Sequence, residues 1–345
     1  MGNEHSPLHR LWFERRLISM TRLQQRRSRI RAEYGFDFPD DFFAFWDFVN
    51  RLSPLAPLQA LSDVLDITLV GPFEILAGRF DGRVPCHSLL LHWRYHDDPP
   101  EFFTVFAGGG DGLHWGYYLD DPDTELAGSG CVASYYAEDA FELSADGDTL
   151  FEAVRLHLEY CHGDCLIDAE INPEDAALAA ESLQRLDELR QRLLPYATGD
   201  RPEVGEDYTE RYAGITSRDD LVVERTADDM GIVLDPALYR ALSKGGRSLW
   251  KQLRKKKHDP ADLVEEARLA LREGFPGTAL ALGKDLWASV IGDKMAHAVE
   301  LLDAAYENLG RATLRRVLQT HVANRLLASV DILIEEEGGS NPEDA

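Results

Sequence analysis

Cysteine is scarce in this sequence, with four residues among 345. They are Cys86, Cys131, Cys161 and Cys165. Four cysteines are too few for the disulfide framework of a small secreted domain, so we expect a reduced, cytosolic protein. Apolar runs are short as well, and none approaches the roughly 18 residues that a membrane-spanning helix needs. The first residues lack the charged-then-apolar order of a signal peptide, and we expect no membrane partner.

Positive charge is also in short supply. The chain has 36 lysines and arginines against 61 acidic residues, a formal net charge of −25, and no lysine before Lys244. Such a surface repels nucleic acid and anionic membranes, so we expect no direct nucleic-acid partner. The acidic charge suits a basic protein partner, and it is equally typical of a soluble cytoplasmic protein. The preference for arginine over lysine is typical of a GC-rich bacterial gene.

The length of 345 residues predicts two domains, and the hydrophobic content of 44% is that of a globular protein. Residues 1–34 form a basic helical arm, because residues 8–33 combine helical periodicity with eight arginines. This arm is either a solvated helix face or a docking surface. Residues 35–195 form the first domain and residues 211–335 the second. The linker is residues 196–210, and we expect residues 336–345 to be disordered.

The first domain mixes helices with strands. Phe38-Pro39-Asp40-Asp41 begins a helix, since proline and aspartate suit a first turn. Short apolar runs separated by Gly, Pro and Asp turns then predict strands. These runs are Ile67–Val70, Ser88–Trp93, Phe102–Phe106 and His114–Leu119. Residues 148–160 and 173–194 return to helical spacing, the second with Asn172 as cap and Pro173 at the first position.

The second domain is mainly helical. An extended segment near residues 221–225 precedes the predicted helices. The helices span residues 237–256, 260–273, 278–308 with a break near Gly292, and 311–335. The fold class is therefore α+β. An N-terminal domain with an antiparallel or mixed sheet flanked by helices is followed by a mainly helical C-terminal domain.

Two motifs suggest chemistry and are better explained as structure. Gly108–Gly112 lacks the lysine and the following helix of a phosphate-binding loop, and it lies between two strands, which predicts a hairpin loop. Cys161 and Cys165 flank a histidine, but no second Cys/His pair follows at the spacing of a zinc site. No nucleophile elbow is present. We predict no metal site and no cofactor-binding site in this chain.

Glu273 and Arg240 are the remaining candidates. Glu273 ends a predicted helix and is followed by Gly274-Phe275-Pro276-Gly277, so its carboxylate is expected to be exposed and fixed by a turn. Arg240 follows the segment that ends at Pro236, and arginine can clamp a carboxylate or a phosphate in a bidentate way. Both residues also have a simpler explanation as solvated charges at helix ends.

Four segments resemble the histone PARylation factor family. Phe38–Trp46 (FPDDFFAFW) is similar to that family's PEDFYxFW helix, and Leu69–Gly78 (LVGPFEILAG) to its LVGPYDxLAG segment. Leu91–Phe102 (LHWRYHDDPPEF) is similar to LHWRFYxDPPEF, the most specific of the four. Gly277–Leu286 follows the GxxLxLGxDL helix, with a glutamate four residues before its first glycine. The resemblance is dense over residues 30–160 and sparse over residues 230–325.

This resemblance implies an accessory factor and not an autonomous enzyme. Such a factor docks on the catalytic domain of a poly(ADP-ribose) polymerase and lends one glutamate, here Glu273, as general base on a serine hydroxyl of a protein substrate. The polymerase binds NAD, so the factor needs no cofactor of its own. Arg240 matches a family arginine that contributes to docking and peptide binding. We expect a monomer, cytoplasmic if bacterial and nuclear if eukaryotic.

Two positions depart from the family pattern. The family has an acidic residue directly before the catalytic glutamate, used in the polymerase contact, where this chain has Arg272. An aspartate four residues before the family arginine is matched by Pro236, with Asp235 adjacent. The resemblance therefore implies that Arg272 and Asp235 belong to an altered docking surface. Either the partner polymerase carries a compensating charge, or polymerase docking is lost.

A second family competes with this interpretation. The Pro39-Asp40-Asp41-Phe42 helix and the segment Trp115–Pro122 also resemble, more loosely, the SMI1/KNR4-like (SUKH) proteins, many of which neutralise toxins. That resemblance implies a protein-binding module of the immunity type, with no catalytic role for Glu273.

Overall fold

The computed structural model describes residues 7–124, 130–138, 142–172, 176–197, 216–255, 259–289 and 292–333. An antiparallel five-stranded sheet lies in the N-terminal half, and the C-terminal half is mainly helical, so the predicted α+β class is confirmed. The predicted linker and tail lie almost entirely outside the described residues. Within the described part, no helix is long and apolar enough to cross a membrane.

The sheet runs in sequence order, with each strand antiparallel to the next. Its strands are β1 (Thr68–Leu69), β2 (Phe102–Ala107), β3 (Leu113–Leu119), β4 (Gly130–Tyr136) and β5 (Ser144–Gly147). The first three coincide with predicted strands, whereas β4 and β5 were not predicted. Gly108–Gly112 connects β2 to β3, so the predicted hairpin loop is confirmed.

The predicted strand at Ser88–Trp93 is wrong. Leu89–Leu91 form a 3₁₀ helix, and the Ser88 hydroxyl caps it by accepting the N–H of Leu90 at 3.3 Å. All three leucines are buried. A short apolar run does not distinguish a buried strand from a buried helical turn, and here the serine cap selects the turn. Trp93 then adopts a positive φ of 59° and donates its N–H to Val330.

Helices cover the sheet and extend from it. They are α1 (Pro7–Tyr34), α2 (Asp40–Leu52), α3 (Ser62–Leu65), α4 (Pro72–Ala77), α5 (Leu150–Ile171) and α6 (Ala176–Leu193). The predicted core residues of α2 are buried, among them Phe42, Phe45 and Val49. Pro173, predicted to begin the helix now labelled α6, lies outside the described residues.

Three arginines of α1 contact the body of the protein. Arg26 forms an ion pair with Asp81 at 2.6 Å and donates to the carbonyl of Leu76. The Arg27 guanidinium lies 3.7 Å from the centroid of the Phe43 ring. Arg29 donates to the carbonyl of Phe80 at 2.8 Å. The second half of the basic arm is therefore held by intramolecular contacts with α2, with α4 and with the loop after α4.

The C-terminal half begins with a small antiparallel pair of strands and continues in helices. They are β6 (Val222–Glu224), β7 (Ile232–Val233), α7 (Gly246–Leu253), α8 (Ala261–Arg272), α9 (Pro276–Trp287), α10 (Gly292–Leu309) and α11 (Ala312–Ala323). The predicted break near Gly292 is confirmed. The helix predicted for residues 237–256 is wrong in its first half, because Gly245 and Gly246 delay it. The helix predicted for residues 311–335 ends at Ala323.

Helix α9 joins the two halves. All twelve of its residues are buried, and a continuous hydrophobic cluster extends from Ile30 to Ile332. Lys284 of α9 donates to the Tyr118 hydroxyl of β3 and lies 3.1 Å from Asp228. The Tyr306 hydroxyl of α10 donates to Glu101 at 2.6 Å. The element that follows Glu273 is thus packed on every side.

His321 makes the stability of this core sensitive to acid. Burial, with Arg94 nearby, lowers the pKa of His321 to about 3. The unfolded chain binds a proton near pH 6.5 and the folded chain does not, so stability is lost as pH falls below 6.5. Between pH 6.5 and pH 5 we expect this residue to remove about 2 kcal/mol. Urea unfolding of wild type and His321→Leu across this range tests the prediction, since the variant should lose stability less steeply. Parallel pH profiles would contradict it.

Candidate functional site

Glu273 lies in a tight turn between α8 and α9. Its N–H donates to the carbonyls of Leu269 and Ala270, both at 3.1 Å, which ends α8. Gly274 adopts a φ of +91°, the left-handed conformation that glycine accepts readily at a helix C-terminus. The N–H of Phe275 returns to the Ala270 carbonyl at 2.9 Å. The backbone of Glu273 is therefore fixed, while its side chain is 45% exposed.

Arg240 follows a segment that is tied down at several points. Asp235 caps the 3₁₀ helix Pro236–Leu238 by accepting the N–H of Ala237 at 2.9 Å. The Tyr239 hydroxyl donates to Glu224 at 2.6 Å, and burial beside that carboxylate raises the pKa of Tyr239. Thr278 bonds the backbone of Arg240 twice, accepting its N–H at 3.1 Å and donating to its carbonyl at 2.6 Å. The first turn of α9 thus holds Arg240.

Gly277 permits this close approach. A Cβ at this position would lie 2.8 Å from Leu234 Cδ2 and 3.0 Å from the Leu238 carbonyl oxygen. We expect Gly277→Ala to lower the free energy of unfolding by about 1–3 kcal/mol, because the segment carrying Arg240 must move away. Urea denaturation measures the change. Gly110→Ala is the matched control, since a Cβ there meets nothing within 4 Å. Equal stability of the two variants would contradict the close packing.

The side chains of Arg240 and Glu273 meet at the surface. Arg240 Nη1 donates to Glu273 Oε2 in an ion pair, and the two side chains are 41% and 45% exposed. The guanidinium also lies 4.8 Å from the centroid of the Phe275 ring, a cation–π arrangement. The described residues give Oε1 no hydrogen bond. Exposed ion pairs contribute about 0–1 kcal/mol, so a partner can displace this one at little cost.

The other two predicted site residues remain separate from this pair. Arg272 is exposed on the last turn of α8 and forms no ion pair with any described residue. Asp235 is exposed and its carboxylate caps the 3₁₀ helix. The structure therefore brings together Arg240 and Glu273, and leaves Arg272 and Asp235 as surface charges.

Sequence reasoning missed the residues that position the pair. Thr278, Phe275 and Gly277 all belong to the segment singled out in the sequence, but nothing in the local pattern revealed their long-range partners. The Thr278 hydroxyl reaches a residue 38 positions earlier. A threonine in the first turn of a buried helix was the available signal, since a buried hydroxyl needs a hydrogen-bond partner.

The motif with Cys161 and Cys165 does not form a metal centre in the part of the chain that the structure describes. No group of three or more His, Cys, Asp or Glu residues there is arranged to hold an ion. Cys161 lies on α5, and burial raises the pKa of its thiol to about 11. A thiol with this pKa is a poor nucleophile at neutral pH. The exposed Glu273–Arg240 pair remains the better candidate for chemistry.

Comparison with known proteins identifies the family. The sequence profile described as Histone PARylation factor 1 matches residues 25–325. Histone PARylation factor 1 from Bos taurus is 29% identical over 335 residues, covering 89% of each chain. The protein of that name from Danio rerio is 29% identical over 327 residues, covering 90% of this chain and 88% of its own. A human protein named Putative histone PARylation factor 1-like is 27% identical, covering 88% of each. This chain belongs to the Histone PARylation factor 1 family.

Proposed function

We propose that this chain is an accessory factor of a poly(ADP-ribose) polymerase and that Glu273 completes the active site of its partner. One observation carries the proposal. The Glu273 carboxylate is exposed, its backbone is fixed by the turn after α8, and Arg240 holds one of its two oxygens. A carboxylate in this position faces a docked partner. The names of the curated relatives support the poly(ADP-ribose) theme.

The reaction assigned to the composite site is transfer of ADP-ribose to serine. A serine Oγ attacks the anomeric ribose carbon of NAD bound by the polymerase, while its proton passes to Glu273. The bond between this carbon and nicotinamide breaks, and nicotinamide leaves with the bonding electron pair. Serine is almost entirely protonated at neutral pH and attacks poorly, so a positioned base is required. The contribution of this chain is to accept that proton.

The surface around Glu273 forms the contact with the partner. Arg240 orients the carboxylate and offers further N–H donors to the polymerase or the peptide. Arg272, beside Glu273 and without an ion pair among the described residues, presents a positive charge at the same edge. Asp235 borders the segment that leads to Arg240. A polymerase that accepts this factor therefore places an acidic group opposite Arg272.

The test is reconstitution with a poly(ADP-ribose) polymerase from the same organism, NAD and a serine-containing histone peptide. Adding this chain should produce a serine-linked product that the polymerase alone does not make. The linkage is read by mass spectrometry of the peptide and of a Ser→Ala control peptide. A polymerase that binds the chain and yields only acid-linked product would refute the proposed role.

A further inference from the structure

A concentrated positive charge lies beside the proposed site. Residues 240–255 contain six cations and no acidic residue, in a chain whose net charge is −25. The six are Arg240, Lys244, Arg247, Lys251, Arg254 and Lys255. The remainder of the chain is correspondingly more acidic. This local reversal of charge has no role in the fold described above.

Helix α7 displays these charges on one face. Arg247, Lys251 and Arg254 are spaced by four and three residues, which places them on the same side of a helix, and all three are exposed. Leu249 and Leu253 occupy the opposite side and are buried. We call the side formed by Lys244, Arg247, Lys251, Arg254 and Lys255 the basic face.

Both ends of the basic face are anchored. At its start, the Ser243 N–H and hydroxyl donate to the two oxygens of Glu266 on α8, at 2.7 and 2.6 Å. At its end, buried Lys294 donates to the carbonyls of Leu253 and Lys255, the latter at 2.9 Å. The basic face is therefore a fixed surface that continues from Arg240 along α7.

Intramolecular ion pairs leave most of this charge uncompensated. Arg254 approaches Glu142 at 3.8 Å, with both side chains about half exposed. Lys244, Arg247, Lys251 and Lys255 form no ion pair with a residue in the described ranges. Four neighbouring exposed cations repel one another, and binding a polyanion would relieve this repulsion and release its counterions.

We propose that the basic face binds the pyrophosphate groups of ADP-ribose chains, an inference that rests on the proposed function. Lysine supplies three of the five cations. A lysine ammonium is a compact point charge, and it binds phosphate without the bidentate geometry that arginine uses to clamp a carboxylate. Lys251, in the last turn of α7, and Lys255, two residues past its end, are four residues apart in the chain, at most about 14 Å between Cα atoms, so their long side chains can contact neighbouring phosphates of one polymer. Nucleic acid is a poorer fit, because its single phosphates are separated by sugars and form no pyrophosphate. A long duplex would also meet the acidic remainder of the protein.

Binding of purified poly(ADP-ribose) to the isolated full chain tests the inference, measured by fluorescence anisotropy at low salt. The double variant Lys251→Glu/Lys255→Glu should bind about tenfold more weakly or worse, with a shallower salt dependence. Arg83→Glu/Arg192→Glu is the matched control, because both arginines are exposed and lie outside the basic face. It should bind like wild type.

Competition identifies the ligand. ADP-ribose oligomers should displace the polymer better than single-stranded DNA or polyglutamate of equal charge. Equal displacement by either competitor, equal binding of the two double variants, or no binding of wild type would overturn the inference. The Lys251→Glu/Lys255→Glu protein should still support serine modification of a short peptide. Loss of polymer binding with retained serine modification in this variant supports the basic face as the polymer site. Wild-type protein that binds the polymer but does not support serine modification would refute only the proposed catalytic role.

Discussion

Glu273→Gln is expected to reduce the rate of serine modification by about 10²–10⁴-fold in the reconstituted reaction, the usual contribution of a general base. The amide keeps the size and planar shape of the carboxylate but cannot accept the serine proton. Initial rates of serine-linked product, measured at saturating polymerase, give the change in turnover. The concentration of this chain that gives half of the maximal rate should be close to that of wild type, because the carboxylate acts in the reaction and contributes little to docking on the polymerase.

Glu265→Gln is the matched control for this experiment. Glu265 is on α8, the helix that precedes Glu273, is 65% exposed and pairs with Arg268, so it is an exposed, arginine-paired glutamate like Glu273 but does not lie in the turn. It should leave the rate unchanged. Glu273→Gln should also unfold within about 1 kcal/mol of wild type, since an exposed ion pair stabilises little. Full serine modification by a folded Glu273→Gln protein would remove Glu273 from the mechanism.

The fold was predictable where local patterns decide the structure. Helix α2, strands β2 and β3 and the break before Gly292 all follow from spacing, turn residues and caps. Strand β5 (SADG) escaped because its sequence combines serine, aspartate and glycine with a single alanine, whereas β4 (GCVASYY) was missed although its valine and two tyrosines favour a strand. Strand β4 is stabilised by pairing with β3 and β5, and β5 by pairing with β4, interactions between strands that a local pattern does not contain.

The candidate site was predictable only where a local sequence pattern determines it. The helix end and the glycine after it identify Glu273 as an exposed, fixed carboxylate. Its pairing with Arg240 joins residues 33 positions apart and depends on Thr278 and Gly277. The roles of Glu273, Arg240, Arg272 and Asp235 at the partner surface stay predictions. The basic face was missed because the whole-chain charge of −25 hides a local excess of cations.

Asp120→Ala is expected to lower the free energy of unfolding by about 3–5 kcal/mol, because it leaves a buried arginine without its counter-charge. Arg218 is 2% exposed. Its Nε–H donates to Asp120 Oδ2 at 2.6 Å, and its Nη2–H donates to Asp120 Oδ1 at 2.8 Å. It also donates to the carbonyl of Met230 and lies 4.8 Å from the centroid of the Tyr118 ring. Urea denaturation followed by tryptophan fluorescence measures the loss.

Two further variants separate burial from charge. Asp81→Ala removes the partner of Arg26 in an exposed pair and should cost less than about 1 kcal/mol. Asp120→Ala/Arg218→Met removes both buried charges and should recover much of the loss, since an apolar pair needs no counter-ion. A double variant as unstable as Asp120→Ala would show that packing, and not the uncompensated buried charge, determines the loss of stability.

The same buried pair supports the candidate site. Arg218 anchors the β6–β7 hairpin that carries Glu224, and Glu224 holds Tyr239 beside Arg240. Asp120→Ala should therefore also weaken serine modification before the protein unfolds globally.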